Sequence, residues 1–156
     1  MADLHPIART LLAVLDNQVA RTDAALEGLD DAVARTDPGG GCNTILGIGR
    51  HLVGLRRFQL MMLGSLRAAD IADPSTIDDL HDLRTRLDDA TAILRAAVET
   101  HDPDDWFHVP SPARDGKWGD EPTIHRLVRP LNDFTNHLGG IRAIRRIRGN
   151  ANDRTQ

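Results

Sequence analysis

Apolar residues recur at steps of three and four along most of this chain, and strand-like alternation is nearly absent, so the pattern predicts a protein built from helices. The first stripe is Leu4, Ile7, Leu11, Val14, Leu15, Val19 and Leu26, with Asp3 as a candidate cap, Pro6 in the first turn and an end near Gly28. The run DPGGGCN, residues 37 to 43, cannot continue a helix and hands over to Asn43 or Thr44 as the next cap. A second helix is expected from about Thr44 to Leu66, with Ile45, Ile48, Leu52, Leu55, Phe58 and Met62 facing inward. Asp73, Pro74 and Ser75, with Asp78 three residues after the serine, predict a third helix, buried through Ile77, Leu80, Leu83, Leu87, Leu94 and Val98. The fourth begins near Pro122 and carries Leu127, Leu131, Phe134, Leu138 and Ile141, with Pro130 expected to kink it.

Between helices three and four lies a segment of some twenty residues that is long for a bundle connection and holds Trp106, Phe107 and Trp118. Aromatic residues suit a loop that folds back over the bundle end or joins an interface, so Trp106, His108 and Trp118 become candidate substrate-pocket residues. The length of 156 residues suits one domain, expected over residues 1–150 with a flexible tail at 151–156. A net charge of −4 offers no general attraction to nucleic acid or an anionic membrane. The one basic cluster, Arg142, Arg145, Arg146 and Arg148, suits a helix C-terminus better than phosphate. A single cysteine, Cys42, excludes an internal disulfide and a cysteine-rich zinc site, and packing is its expected role. No apolar run approaches the roughly 20 residues of a membrane span, and no signal-peptide order opens the chain, so a cytoplasmic protein is expected.

The candidate chemistry is a set of three. His51 flanks the buried face of helix two, while Asp133 and His137, four residues apart, share one side of helix four. If those helices pack side by side, the three can surround one divalent metal and leave coordination positions open. The spacing also fits two ordinary, partly buried histidines and a solvated aspartate. His5, His81, His101 and His125 occur singly and read as surface residues, the Met61–Met62 pair as core, and the three glycines at 39–41 as a turn.

The segment N-T-I-L-G-I-G-R-H-L, residues 43 to 52, followed by Arg57 and Phe58, resembles the second helix of the DinB-like (DinB/YfiT) superfamily of four-helix metalloenzymes. The segment D-F-T-N-H-L-G-G-I, residues 133 to 141, resembles its fourth-helix motif. The superfamily's helix-two histidine falls on His51 and its last histidine on His137. Asp133 stands where the first histidine of the fourth-helix pair is usual, and Leu138 and Gly140 also depart from the motif. The resemblance implies an all-α four-helix bundle of antiparallel type, a metal held by helices two and four, and frequent homodimers. It also implies thiol-dependent activities, including S-transfer with bacillithiol or mycothiol and a mycothiol-dependent isomerisation. The expected function is a metal-dependent thiol S-transferase, or a related reaction on a small electrophile, using zinc, nickel or iron(II) and a low-molecular-weight thiol. The alternative is a non-catalytic bundle, dimeric or partner-binding, whose metal site has decayed.

Overall fold

A computed structural model describes residues 4–109 and 121–152, with the side chains of 148–152 left aside. All regular elements among these residues are helical. They are α1 (Pro6–Leu26), α2 (Asp31–Arg35), α3 (Ile45–Met62), α4 (Leu80–Glu99) and α5 (Thr123–Asn152), with 3-10 turns at Leu66–Asp70, Pro74–Thr76 and Pro103–Trp106. The all-α bundle expected from the apolar periodicity is therefore present. None of these helices is long and apolar enough to cross a membrane.

Each boundary has a local cause. Pro6 opens α1, and His5, not Asp3, accepts from the Ile7 amide through Nδ1; Asp3 lies outside the described residues. Three consecutive glycines, Gly39, Gly40 and Gly41, all hold positive φ, a path that side-chain-bearing residues adopt only with strain. Thr44 then caps α3 by accepting from the Gly47 amide at 2.9 Å. Helix α3 stops at Met62, four residues before the expected end, and the chain leaves through Gly64 at φ 68°.

The structure departs from the expected pattern at several places. The short helix α2, capped by Asp30, had no apolar stripe long enough to announce it. The third long helix starts at Leu80 with Asp79 as its cap, because Asp73 is occupied in closing the 3-10 turn at Pro74; Ile77 is buried, but ahead of the helix. Met61 is exposed rather than core, as is Cys42. Helix α5 runs to Asn152, and residues 153–156 of the expected tail lie outside the described residues. Pro130 sits inside α5, which runs on past it.

Side-chain contacts fix the directions of the helices. Gly49 meets Leu83, and Arg56 meets Thr91, so α3 and α4 run parallel; the segment 63–79 carries the chain back along the bundle between them. Helix α5 opposes α3, with Phe134 beside Arg56, His137 beside His51 and Gly140 beside Ile48. Helix α1 runs with α5, through Gln18 to Leu131 and Ala25 to Arg145, and against α4, through Asp16 to Arg95 and Leu26 to Arg84. The antiparallel-type bundle thus contains two parallel pairs, made possible by the crossover between α3 and α4.

The core is largely leucine and isoleucine, with Trp106 fully buried. The basic cluster of the last helix does meet a helix C-terminus, and it is that of α1. Arg142 donates to the Arg21 carbonyl and Arg145 to those of Ala24 and Ala25, while Arg84 from α4 reaches that of Leu26. Carbonyls of the last turns of α1 so receive cationic donors, which also suit the negative end of the helix dipole.

Helices α3 and α4 approach closely at Gly49. A Cβ there would stand well inside contact with Leu83 Cδ2 and 2.9 Å from Cδ1, and Leu83 is wholly buried, with little room to move. Overpacking of this kind costs about 1–3 kcal/mol, against roughly 1 kcal/mol of helix propensity gained on replacing glycine by alanine. Gly49→Ala is therefore expected to lower the urea midpoint. In a double-mutant cycle with Leu83→Ala, the pair should be less destabilised than the sum of the single changes.

Candidate metal and thiol site

His51 lies in the second turn of α3, and Asp133 and His137 lie near the middle of α5. Because α3 and α5 are antiparallel neighbours, the two histidines meet across the seam, with ring centroids 4.5 Å apart and planes at 75°. His51 is exposed and not half-hidden on a flank as its stripe position suggested; His137 is half-buried and Asp133 exposed. Small residues flank the seam, Gly47 on α3 and Gly139 and Gly140 on α5, which leaves the imidazoles open to solvent.

Partial loss of water lowers the pKa of His51, the nearby His137 lowers it further, and the charge of Asp133 acts in the opposite direction. His51 is consequently a neutral imidazole at pH 7, the form that donates a lone pair. Two imidazoles bound to one zinc at about 2.0–2.1 Å, with near-tetrahedral angles, hold their ring centroids about 5 Å apart. The observed pair is close to that separation. Asp133 is close enough for its charge to act on His51, yet among the described residues no three such side chains converge tightly enough to hold an ion as they stand. The donor chemistry, two histidines and one carboxylate, fits a divalent metal; the carboxylate, exposed and on a single short stem, needs to turn inward to complete the set.

The candidate pocket residues of the loop lie elsewhere. Trp106 is fully buried, with its ring tilted at 55° against that of His101 at 4.2 Å between centroids, so His101 is not the surface residue its isolation suggested. His108 is exposed, and its carbonyl accepts from the Thr123 amide at the start of α5. Thr123 precedes His137 by fourteen residues, which places this anchor about 21 Å along the helix axis from the histidine pair. Trp118 lies outside the described residues. An apolar hollow of about 530 Å³ between α1 and α5, lined by Ile7, Leu11, Val14, Ile124, Val128 and Leu131, also faces away from the pair. Thr135 on its rim and His137 point about 200° apart around α5.

A polar layer one helical step above the seam went unrecognised in the sequence. Arg56 is 1% exposed, and its guanidinium donates to Gln18 Oε1 at 2.8 Å, Gln59 Oε1 at 3.1 Å and Thr91 Oγ1 at 3.2 Å while lying 3.9 Å over the Phe134 ring. Burial presses its pKa down to about 9, which still leaves a cation at neutral pH. The available signal was four polar residues at buried-face positions of three stripes: Gln18 after Leu15, Arg56 after Leu52, Gln59 after Leu55, and Thr91 after Leu87.

The described residues thus form an all-α bundle that brings a histidine pair together across two antiparallel helices. The chain belongs to the mycothiol-S-transferase family, whose sequence profile matches residues 10–149, and that family is part of the DinB-like superfamily. No curated protein matches the chain at a significant level.

The electrostatics of the seam can be read by following the His51 ring through a pH titration by NMR in the presence of a chelator. Asp133→Asn removes a charge that favours the imidazolium and should lower the His51 pKa further. His137→Ala removes a neighbour that disfavours it and should raise the value.

Proposed function

We propose that the protein is a thiol S-transferase that holds one divalent metal between α3 and α5 through His51, Asp133 and His137. The observation that carries this reading is the meeting of His51 and His137 across two helices, 4.5 Å apart, in a chain of the mycothiol-S-transferase family. A divalent metal bound there would act as a Lewis acid that lowers the pKa of a thiol, so that thiolate is present at neutral pH. The chain's own residues prepare for this. His51 stays neutral through partial desolvation and through His137, which leaves its lone pair available. Asp133 contributes one negative charge from the turn before His137, partly offsetting the charge of a dication. Solvent exposure of His51 gives a thiol and a small electrophile an approach that needs no opening of the bundle. In the transfer, the thiol S–H proton passes to solvent, sulfur forms a bond to the electrophilic carbon, and the displaced electron pair leaves with the leaving group.

The thiol is a low-molecular-weight one of the mycothiol type, following the family. As a homodimer, which the superfamily resemblance implies, the protein would have an apolar surface ready in Val14 and Val128 beside the hollow between α1 and α5. A cytoplasmic setting accords with the use of a reduced thiol.

Elemental analysis of protein purified without a metal-affinity tag tests the reading. Close to one divalent ion per chain is expected, lost in His51→Ala and His137→Ala together with mycothiol consumption in the presence of a small electrophile; Asp133→Ala should weaken metal retention by about 10-fold or more. Failure to take up zinc, nickel, iron(II) or manganese on reconstitution would overturn it in favour of a non-catalytic bundle.

A further inference from the structure

We propose that Arg56 is a positioning residue for the seam between α3 and α5: by seating its guanidinium on Phe134, it fixes the rotation of α5 that turns His137 toward His51. The metal arm of this inference rests on the functional reading above; its geometric arm does not.

The Arg56 plane is held from three helices, by Gln18 on α1, by Gln59 on its own α3 and by Thr91 on α4. A guanidinium so anchored has one orientation, and the Phe134 ring that lies on it at 3.9 Å shares that constraint. Gln18 adds a second grip on the same turn of α5, donating through Nε2 to the Leu131 carbonyl at 2.8 Å and to Thr135 Oγ1 at 3.2 Å. Helix α5 is therefore pinned at residues 131, 134 and 135, immediately before His137. Phe134 follows Asp133 by one residue and precedes His137 by three, angular offsets of about 100° and 60°. Rotating α5 by roughly 25° would sweep the His137 ring, some 6–7 Å from the axis, through about 3 Å. Metal–ligand distances tolerate only about 0.2 Å, so a seam free to rotate would not keep its ligands together.

A merely space-filling role is a poor account of Arg56. The residue belongs to none of the carboxylate ion pairs among the described residues, and a methionine would fill the same volume without a charge to desolvate. What an apolar side chain does not supply is a fixed plane tied to three helices.

Arg56→Met separates the two accounts. Its urea midpoint is expected to fall, because Gln18, Gln59 and Thr91 lose their donor, while the protein stays folded, the nuclear Overhauser contact between the His51 and His137 rings, recorded with chelator present, weakens and the affinity for zinc falls by at least 10-fold. Arg56→Lys, which keeps a cation but not the planar fork, should restore only part of either signal. A folded Arg56→Met protein with an unchanged ring contact and unchanged zinc affinity would overturn the proposal. Should Arg56→Met fail to fold, Gln18→Met carries the same two readouts, with the same expected losses and the same overturning result. If the wild type binds none of zinc, nickel, iron(II) and manganese, the functional reading fails, and the ring contact alone decides the role of Arg56.

Discussion

A single cation at the centre of the bundle touches every long helix. Arg56 leaves α3, bonds to Gln18 of α1 and Thr91 of α4, and lies on Phe134 of α5. Apolar contacts elsewhere in the core are tolerant, because leucine against leucine is satisfied at many small offsets. The guanidinium is not, since its hydrogen bonds fail within a few tenths of an ångström and a few tens of degrees. It therefore sets a common register for four helices that hydrophobic burial brings together but does not align.

Such a group is costly to place. Removing one charge from water costs several kcal/mol even after relaxation, and the Arg56 pKa is depressed by that burial alone. Against this stand three hydrogen bonds to a charged donor at about 1.5–3 kcal/mol each, and a desolvated cation–π contact of about 2 kcal/mol. The cost of desolvation offsets part of this gain, so the layer adds less to net stability than its contacts alone suggest. Its effect is on which packing is lowest, and that distinguishes it from Leu52 or Leu83, whose burial stabilises many arrangements alike.

Much of this was legible in the chain before any coordinates. Ile45, Ile48, Leu52 and Leu55 marked the buried face of α3, and Thr44 marked its start, because capping and helical spacing are local properties. The start of α4 was misplaced, since Asp73 and Asp79 are both capping aspartates, and only the return path of the chain decides which one opens the long helix. The pairing of His51 with His137 was open to inference from the motif resemblance and is now a distance. Arg56 was missed for a different reason. Its burial depends on partners at positions 18, 91 and 134 that become neighbours only when the bundle closes.

The crossover explains why the seam lies where it does. Were the helices joined by short hairpins throughout, α3 and α4 would be antiparallel, and Gly49 and Arg56 could not meet Leu83 and Thr91 in the order observed. By carrying the chain back through residues 63–79, the fold gives α3 a parallel contact on one side and an antiparallel one with α5 on the other. The second places the early turns of α3 against the middle of α5, where Asp133 and His137 stand. The same rotation of α5 directs Phe134 inward to the cation and leaves Asp133 outward, in water. A carboxylate there needs no buried partner, so an aspartate is tolerated at a position that the superfamily motif usually gives to a histidine.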